Sequence, residues 1–147
     1  MTAPLRVSRH IAAPPGVIYS YLTESAKWSR WQGSRADLDA RPGGLFLMTM
    51  PDGARARGEF VELVPNEKVT FTWGWVDHPG VPPGSSTVEI SIAADADGSM
   101  VTITHRGLPA EELNVHRMGW EHYLPRLAAA AEGLDVGPDR GPGAHSS

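Results

Sequence analysis

The sequence predicts an α+β domain. A curved antiparallel sheet of about six or seven strands wraps around one long C-terminal helix, with two short helices after the first strand. Three observations predict it. From Ser34 to Arg106 the chain runs through short alternating segments divided by glycine- and proline-bearing turns. Between the first strand and that run lie two short stretches with helical spacing. Near the end lies a single long amphipathic segment, the only element able to cover one face of the sheet.

Leu5 to Ala12 alternates as a first strand. Pro14-Pro15-Gly16 opens a helix carried by Val17, Ile18, Tyr21 and Leu22, because proline at the first helical turn loses no hydrogen bond. Thr23 is the expected N-cap of a second helix, Glu24 to Trp31, ended by Gln32-Gly33. Strands are expected over Ser34–Ala40, Leu45–Met50 and Arg55–Val64. Arg41-Pro42-Gly43-Gly44, Pro51-Asp52-Gly53 and Pro65-Asn66-Glu67 mark the turns. In Val69–Trp75, Phe71, Trp73 and Trp75 share one face, with Thr70, Thr72 and Gly74 behind. Asp77–Gly84 is too rich in proline and glycine for regular structure and reads as a loop. Strands Ser86–Ala93 and Met100–Arg106 flank the turn Asp95-Ala96-Asp97-Gly98.

Leu108-Pro109 opens the long helix, and Glu111 and Glu112 suit its positive end. Its apolar stripe is Leu113, Trp120, Leu124, Leu127, Ala131 and Leu134, and Pro125 predicts a kink. The domain is expected over residues 4–134. Residues 135–147, dominated by Gly, Pro and Ser from Gly137, are expected to be disordered.

Composition removes several function classes. The chain has 147 residues, 41% hydrophobic and 20% charged, which suits one domain with a real core. It has no cysteine, which excludes disulfides, thiolate metal sites and cysteine nucleophiles and suits a cytoplasmic protein. A net charge of −4 and the lack of a basic stripe argue against nucleic acid; Arg55 and Arg57 read as the solvated face of a strand. No apolar run approaches a membrane span, and Arg6, Arg9 and His10 interrupt any signal-peptide core. His116 and His122 lie on different helix faces, so no metal is expected. Without a phosphate loop, dinucleotide fingerprint or nucleophile elbow, no cofactor is expected either.

A resemblance adds to this reading. Ile11-Ala12-Ala13-Pro14, Trp28-Ser29-Arg30-Trp31, Asp39 to Gly44, Gly58 to Glu62, Phe71-Thr72-Trp73, Thr102 to His105 with Gly107-Leu108, and His116 to Trp120 occur in order along residues 5–134. In that order and spacing the chain resembles the helix-grip fold of the START and birch-pollen-allergen-like (SRPBCC) superfamily. The detail is similar to the branch related to the ATPase activator of the ninety-kilodalton heat-shock protein. The resemblance implies a deep, mostly apolar pocket between sheet and helix. It does not imply one activity, since relatives include ligand carriers, lipid and hormone binders, polyketide cyclases and co-chaperone domains. The eukaryotic activators carry a further N-terminal domain for which 147 residues leave no room, an expectation that weighs against the co-chaperone reading.

Strand parity and helical spacing give the expected ligand-binding set: Trp28, Trp31, Phe46, Met48, Phe71, Trp73, Trp75, Ile90, Ile103, His105, Trp120 and Leu124. Aromatics and methionine make an adaptable apolar wall, but the same residues also make ordinary core. The weak catalytic candidates are His105, inward by parity, and Glu59, which lies on the opposite strand face from Glu62. An inward Glu59 meeting His105 would make an acid–base pair. The sequence therefore favours binding of an apolar or aromatic small molecule in a cavity. The alternatives are a cyclase or hydrolase using His105 with an acidic partner, and a co-chaperone-like interaction domain. A homodimer is compatible with the sequence but not required by it.

Overall fold

The computed structural model describes residues 3–142. β1 (Leu5–Ile11) leads into α1 (Pro15–Thr23) and α2 (Ser25–Trp28). The chain then makes β2 (Arg35–Leu38), β3 (Leu45–Thr49), β4 (Arg55–Val64), β5 (Lys68–Trp73), β6 (Ser86–Asp95) and β7 (Gly98–Arg106), and ends its regular structure with α3 (Ala110–Ala131). The strands form one seven-stranded antiparallel sheet in the order β1-β7-β6-β5-β4-β3-β2, curved around α3. The expected α+β class and the helix-against-sheet arrangement are what the chain adopts.

Alternation does most of this. Val69, Phe71 and Trp73 of β5, Val88, Ile90 and Ile92 of β6, and Val101, Ile103 and His105 of β7 are all buried on the helix side. Registers such as Phe71↔Val88 and Ile90↔Ile103 stack these residues across neighbouring strands. The two-residue turn Ala96-Asp97 closes the β6–β7 hairpin at Asp95↔Gly98. In β4 the register shifts between Phe60 and Glu62. The extra residue breaks the alternation, so Phe60 is buried while Glu59, Val61 and Glu62 are all exposed.

Three local expectations are corrected. The second helix is only one turn, Ser25–Trp28; its N-cap position is Glu24, and the Thr23 hydroxyl donates to the Tyr19 carbonyl of α1 instead (3.0 Å). The chain continues in turns to Trp31. Leu134 leaves the apolar stripe and is exposed. Gly133, at φ +89°, ends α3 there, with Gly133 N–H donating to Ala130 and Leu134 N–H to Ala129. α3 is continuous through Pro125, the site of the expected kink, and both Pro125 and Glu121, whose carbonyl loses a partner, face solvent.

The third correction concerns the C-terminal segment, whose residues 135–142 are held by hydrogen bonds. Arg126 of α3 donates to the carbonyls of Val136 (3.0 Å) and Gly137 (2.9 Å) as well as Trp31 (2.9 Å). The Asp139 carboxylate is fully buried and accepts from the Gly33 N–H at 2.7 Å and from the Gly141 N–H at 2.8 Å. The remainder of the expected disordered tail, residues 143–147, lies outside the described residues. Among the described residues no helix is long and apolar enough to cross a membrane.

Candidate functional site

The hollow between sheet and helix is filled at its centre. Phe46 and Phe71 stack at 4.1 Å between ring centroids, Trp28 packs on Trp31 at 4.7 Å and edge-on to Phe46 at 5.3 Å, and Phe60 closes the group at 6.0 Å from Phe46. Aromatic rings in these tilted and offset arrangements fill volume efficiently. Trp28, Trp31, Phe46, Met48, Phe71, Ile90, Ile103 and Leu124 are almost wholly excluded from solvent and are not among the residues lining the cleft described next. The structure places these eight expected ligand contacts in the packed core.

A cleft of about 670 Å³ remains at one end, between α3 and the loops. Of the expected set, Trp73, Trp75 and Trp120 line it. The rest of its wall comes from three sources. The β3–β4 connection supplies Met50, Pro51, Asp52 and Ala54, and the start of β4 supplies Arg55. The segment after β5 supplies Val76, Asp77 and His78. One face of α3 supplies Glu112, Val115, His116, Gly119 and Tyr123, at helical spacing. Gln32 lies among the wall residues, and Arg140 to Pro142 of the C-terminal segment form part of its rim.

The β5–β6 loop is held tightly enough to be a wall. β5 stops at Trp73, but Trp75 still bridges Ala56 of β4, and Trp75 N–H donates to the Val81 carbonyl at 2.6 Å. Val81 is buried, anchoring the loop's far side. Gly74 permits the fold-back: a Cβ there would sit 1.9 Å from the Pro82 carbonyl oxygen.

Two indole–imidazole pairs stand behind and beside the cleft. Trp120 Nε1–H donates to His105 Nδ1 at 3.1 Å. The Ser86 hydroxyl donates to the Trp73 carbonyl (2.8 Å), so it receives the His105 Nε2–H at 2.9 Å. Both ring nitrogens of His105 are therefore used by the neutral imidazole. Burial, helped by nearby His116, pushes its pKa down to about 3. Trp75 Nε1–H donates to His116 Nε2 at 3.1 Å, and His116 Nδ1–H donates to the Glu112 carbonyl at 2.9 Å. His116 thus holds the opposite tautomer, and burial lowers its pKa too. His78 Nε2 meets Glu112 Oε2 at 3.0 Å.

Glu59 and His105 do not come together: Glu59 is exposed, while His105 is fully buried and bonded to Ser86 and Trp120. Residues the sequence reading left out are His78, Glu112, His116 and Tyr123. Glu112, His116 and Tyr123 follow the helical repeat one step around from the apolar stripe, a signal available in the spacing. The Tyr123 hydroxyl is buried beside the Asp139 carboxylate, and burial together with that carboxylate holds its pKa far above the usual phenol range.

The family described as Activator of Hsp90 ATPase homolog 1-like protein matches residues 12–132. The chain belongs to that family. Its fold and the matched span agree with the activator-homologue branch of the SRPBCC superfamily. An activator-homologue-like protein from Rhizobium etli, RHE_CH02687, is 39% identical, with a TM-score of 0.74 over 99% of this chain and 91% of that one. DynU16, a protein of the dynemicin biosynthetic locus, is 22% identical, with a TM-score of 0.78 over 92% of this chain and 49% of its own. The activator-homologue dimer from Colwellia psychrerythraea is 17% identical, with a TM-score of 0.78 over 92% of this chain and 98% of that one. No curated protein matches this member of the activator-homologue-like family.

Proposed function

We propose that this chain binds an apolar or aromatic small molecule in the cleft between α3 and the loops. One observation carries the reading: a space of about 670 Å³ is lined by the half-buried Trp75, backed by the almost wholly buried Trp73 and Trp120, while Trp28, Phe46 and Phe71 are packed together in the core away from it. That volume lies in the range of small-molecule sites, which combine apolar walls with a few polar groups. The likeness to a protein of an antibiotic biosynthetic locus supports the same reading.

An enzyme built on His105 receives no support. Its nitrogens are occupied and its pKa of about 3 keeps it from taking up a proton near neutrality. A chaperone-contacting role rests on the family's name alone. Self-association belongs to the proposal, in keeping with the dimeric Colwellia relative. So does cytoplasmic residence, on the absence of cysteine.

The test is a fluorescence titration with the uncharged dye N-phenyl-1-naphthylamine. Trp75→Ala should weaken binding about tenfold, or about 1.4 kcal/mol, and cost about 1–3 kcal/mol of stability, because it takes the indole donor from the buried His116. Phe71→Ala should instead cost about 3–5 kcal/mol of stability. Absence of dye binding, or an unchanged affinity in Trp75→Ala, overturns the proposal.

A further inference from the structure

We propose that the cleft anchors its ligand through an aryl hydroxyl, accepted by the Glu112 carboxylate beside His78. This rests on the aromatic-cleft reading above and names the polar group the occupant carries.

Most polar groups of the inner wall already have partners. The indole N–H groups of Trp75 and Trp120 are given to His116 and His105. His116 spends its remaining proton on the Glu112 carbonyl, and His105 spends its own on Ser86. The buried Trp73 Nε1–H has no partner among the described residues and can only donate, whereas Glu112 offers spare acceptor capacity. Its Oε2 meets His78, but its Oε1 lies 3.6 Å from His116 Nδ1, whose proton already points to the backbone. A carboxylate can only accept, so Oε1 has open lone pairs.

The position makes that capacity matter. The Glu112 side chain is only 16% exposed, and it shares its cleft with three indoles. A ligand seated on those indoles would strip water from the carboxylate. Unless the ligand brings a donor, the lost hydrogen bond is not replaced. His78 holds the carboxylate in place from the loop side, so Oε1 is presented rather than free to swing.

The surrounding charges select the kind of donor. Arg55 and Arg140 line the same cleft and oppose an ammonium group. Asp52, Asp77 and Glu112 itself oppose a carboxylate or phosphate. A neutral donor on a flat apolar frame satisfies both conditions. Among neutral hydroxyls, one on an aromatic ring is the more acidic and the stronger donor, and its ring suits indole walls.

The experiment uses a matched pair, 4-phenylphenol and 4-methoxybiphenyl, titrated calorimetrically into the full chain at neutral pH. The two share a frame and differ in the single donor. The phenol should bind about tenfold more tightly to the unaltered protein. In Glu112→Gln, which keeps shape and removes charge, most of that preference should vanish while the methoxy compound binds as before, which also reports an intact fold. Equal affinities in the unaltered protein, or a preference that survives Glu112→Gln, overturn the hydroxyl anchor and leave the aromatic cleft standing. If neither compound binds, both readings fall.

Discussion

His105 and His116 each accept an indole N–H, and each does so through a different ring nitrogen. A protonated His105 would turn Nδ1 into a donor facing the Trp120 donor, so proton uptake must break that bond. The consequence for stability has a definite sign. In the unfolded chain His105 binds its proton near the ordinary value of 6.5, in the folded chain only near about 3. Between these values the unfolded state carries the extra proton, so His105 lowers stability as pH falls through 6.5 and has no effect well above it. Urea unfolding of the wild type should therefore lose about 2 kcal/mol more than His105→Gln between about pH 7.5 and about pH 5. Parallel pH profiles for the two proteins would show that His105 is not held neutral. The inward direction of His105 was legible from the parity of β7. Its role was not, because nothing in the sequence says that Ser86 and Trp120 arrive at its two nitrogens.

At the level of elements, the C-terminal segment departs furthest from its composition. Glycine and proline made residues 135–142 look unable to bury anything, yet Asp139 buries its carboxylate against Gly33, 106 positions earlier. The Asp139→Ala variant should free this segment. We expect faster amide exchange over residues 136–142 and a loss of about 1–3 kcal/mol, measured by exchange mass spectrometry and thermal melts. Unchanged protection would mean that Arg126, through its bonds to Val136 and Gly137, holds the segment alone. The loop after β5 gives the opposite lesson. Its proline and glycine content correctly indicated irregular backbone, but not that Gly74 and Val81 would fix it as a wall. Strands β5 to β7 were the most legible elements because one face is buried, and burial on one face writes itself as alternation.

At the scale of the whole molecule, the architecture was readable and the location of free space was not. Whether Trp28, Trp31, Phe46 and Phe71 surround a cavity or fill it depends on how their rings meet in three dimensions. Here they meet within 4.1 to 5.8 Å of one another and fill it. The cleft instead forms where Met50–Arg55, Trp75–His78 and α3 converge, segments far apart in the chain. If self-association accompanies binding, sedimentation equilibrium should return twice the chain mass; a mass equal to one chain at every concentration would remove that part of the proposal. The tryptophans also divide into two groups with separate surroundings. Trp28 and Trp31 sit 4.7 Å apart in the core, while Trp73 lies 5.3 Å from both Trp75 and Trp120 at the cleft. Chromophores this close share their electronic excitations, so each group has its own circular-dichroism couplet. Occupancy of the cleft can then be followed optically in the unlabelled protein, with the core pair serving as an internal reference.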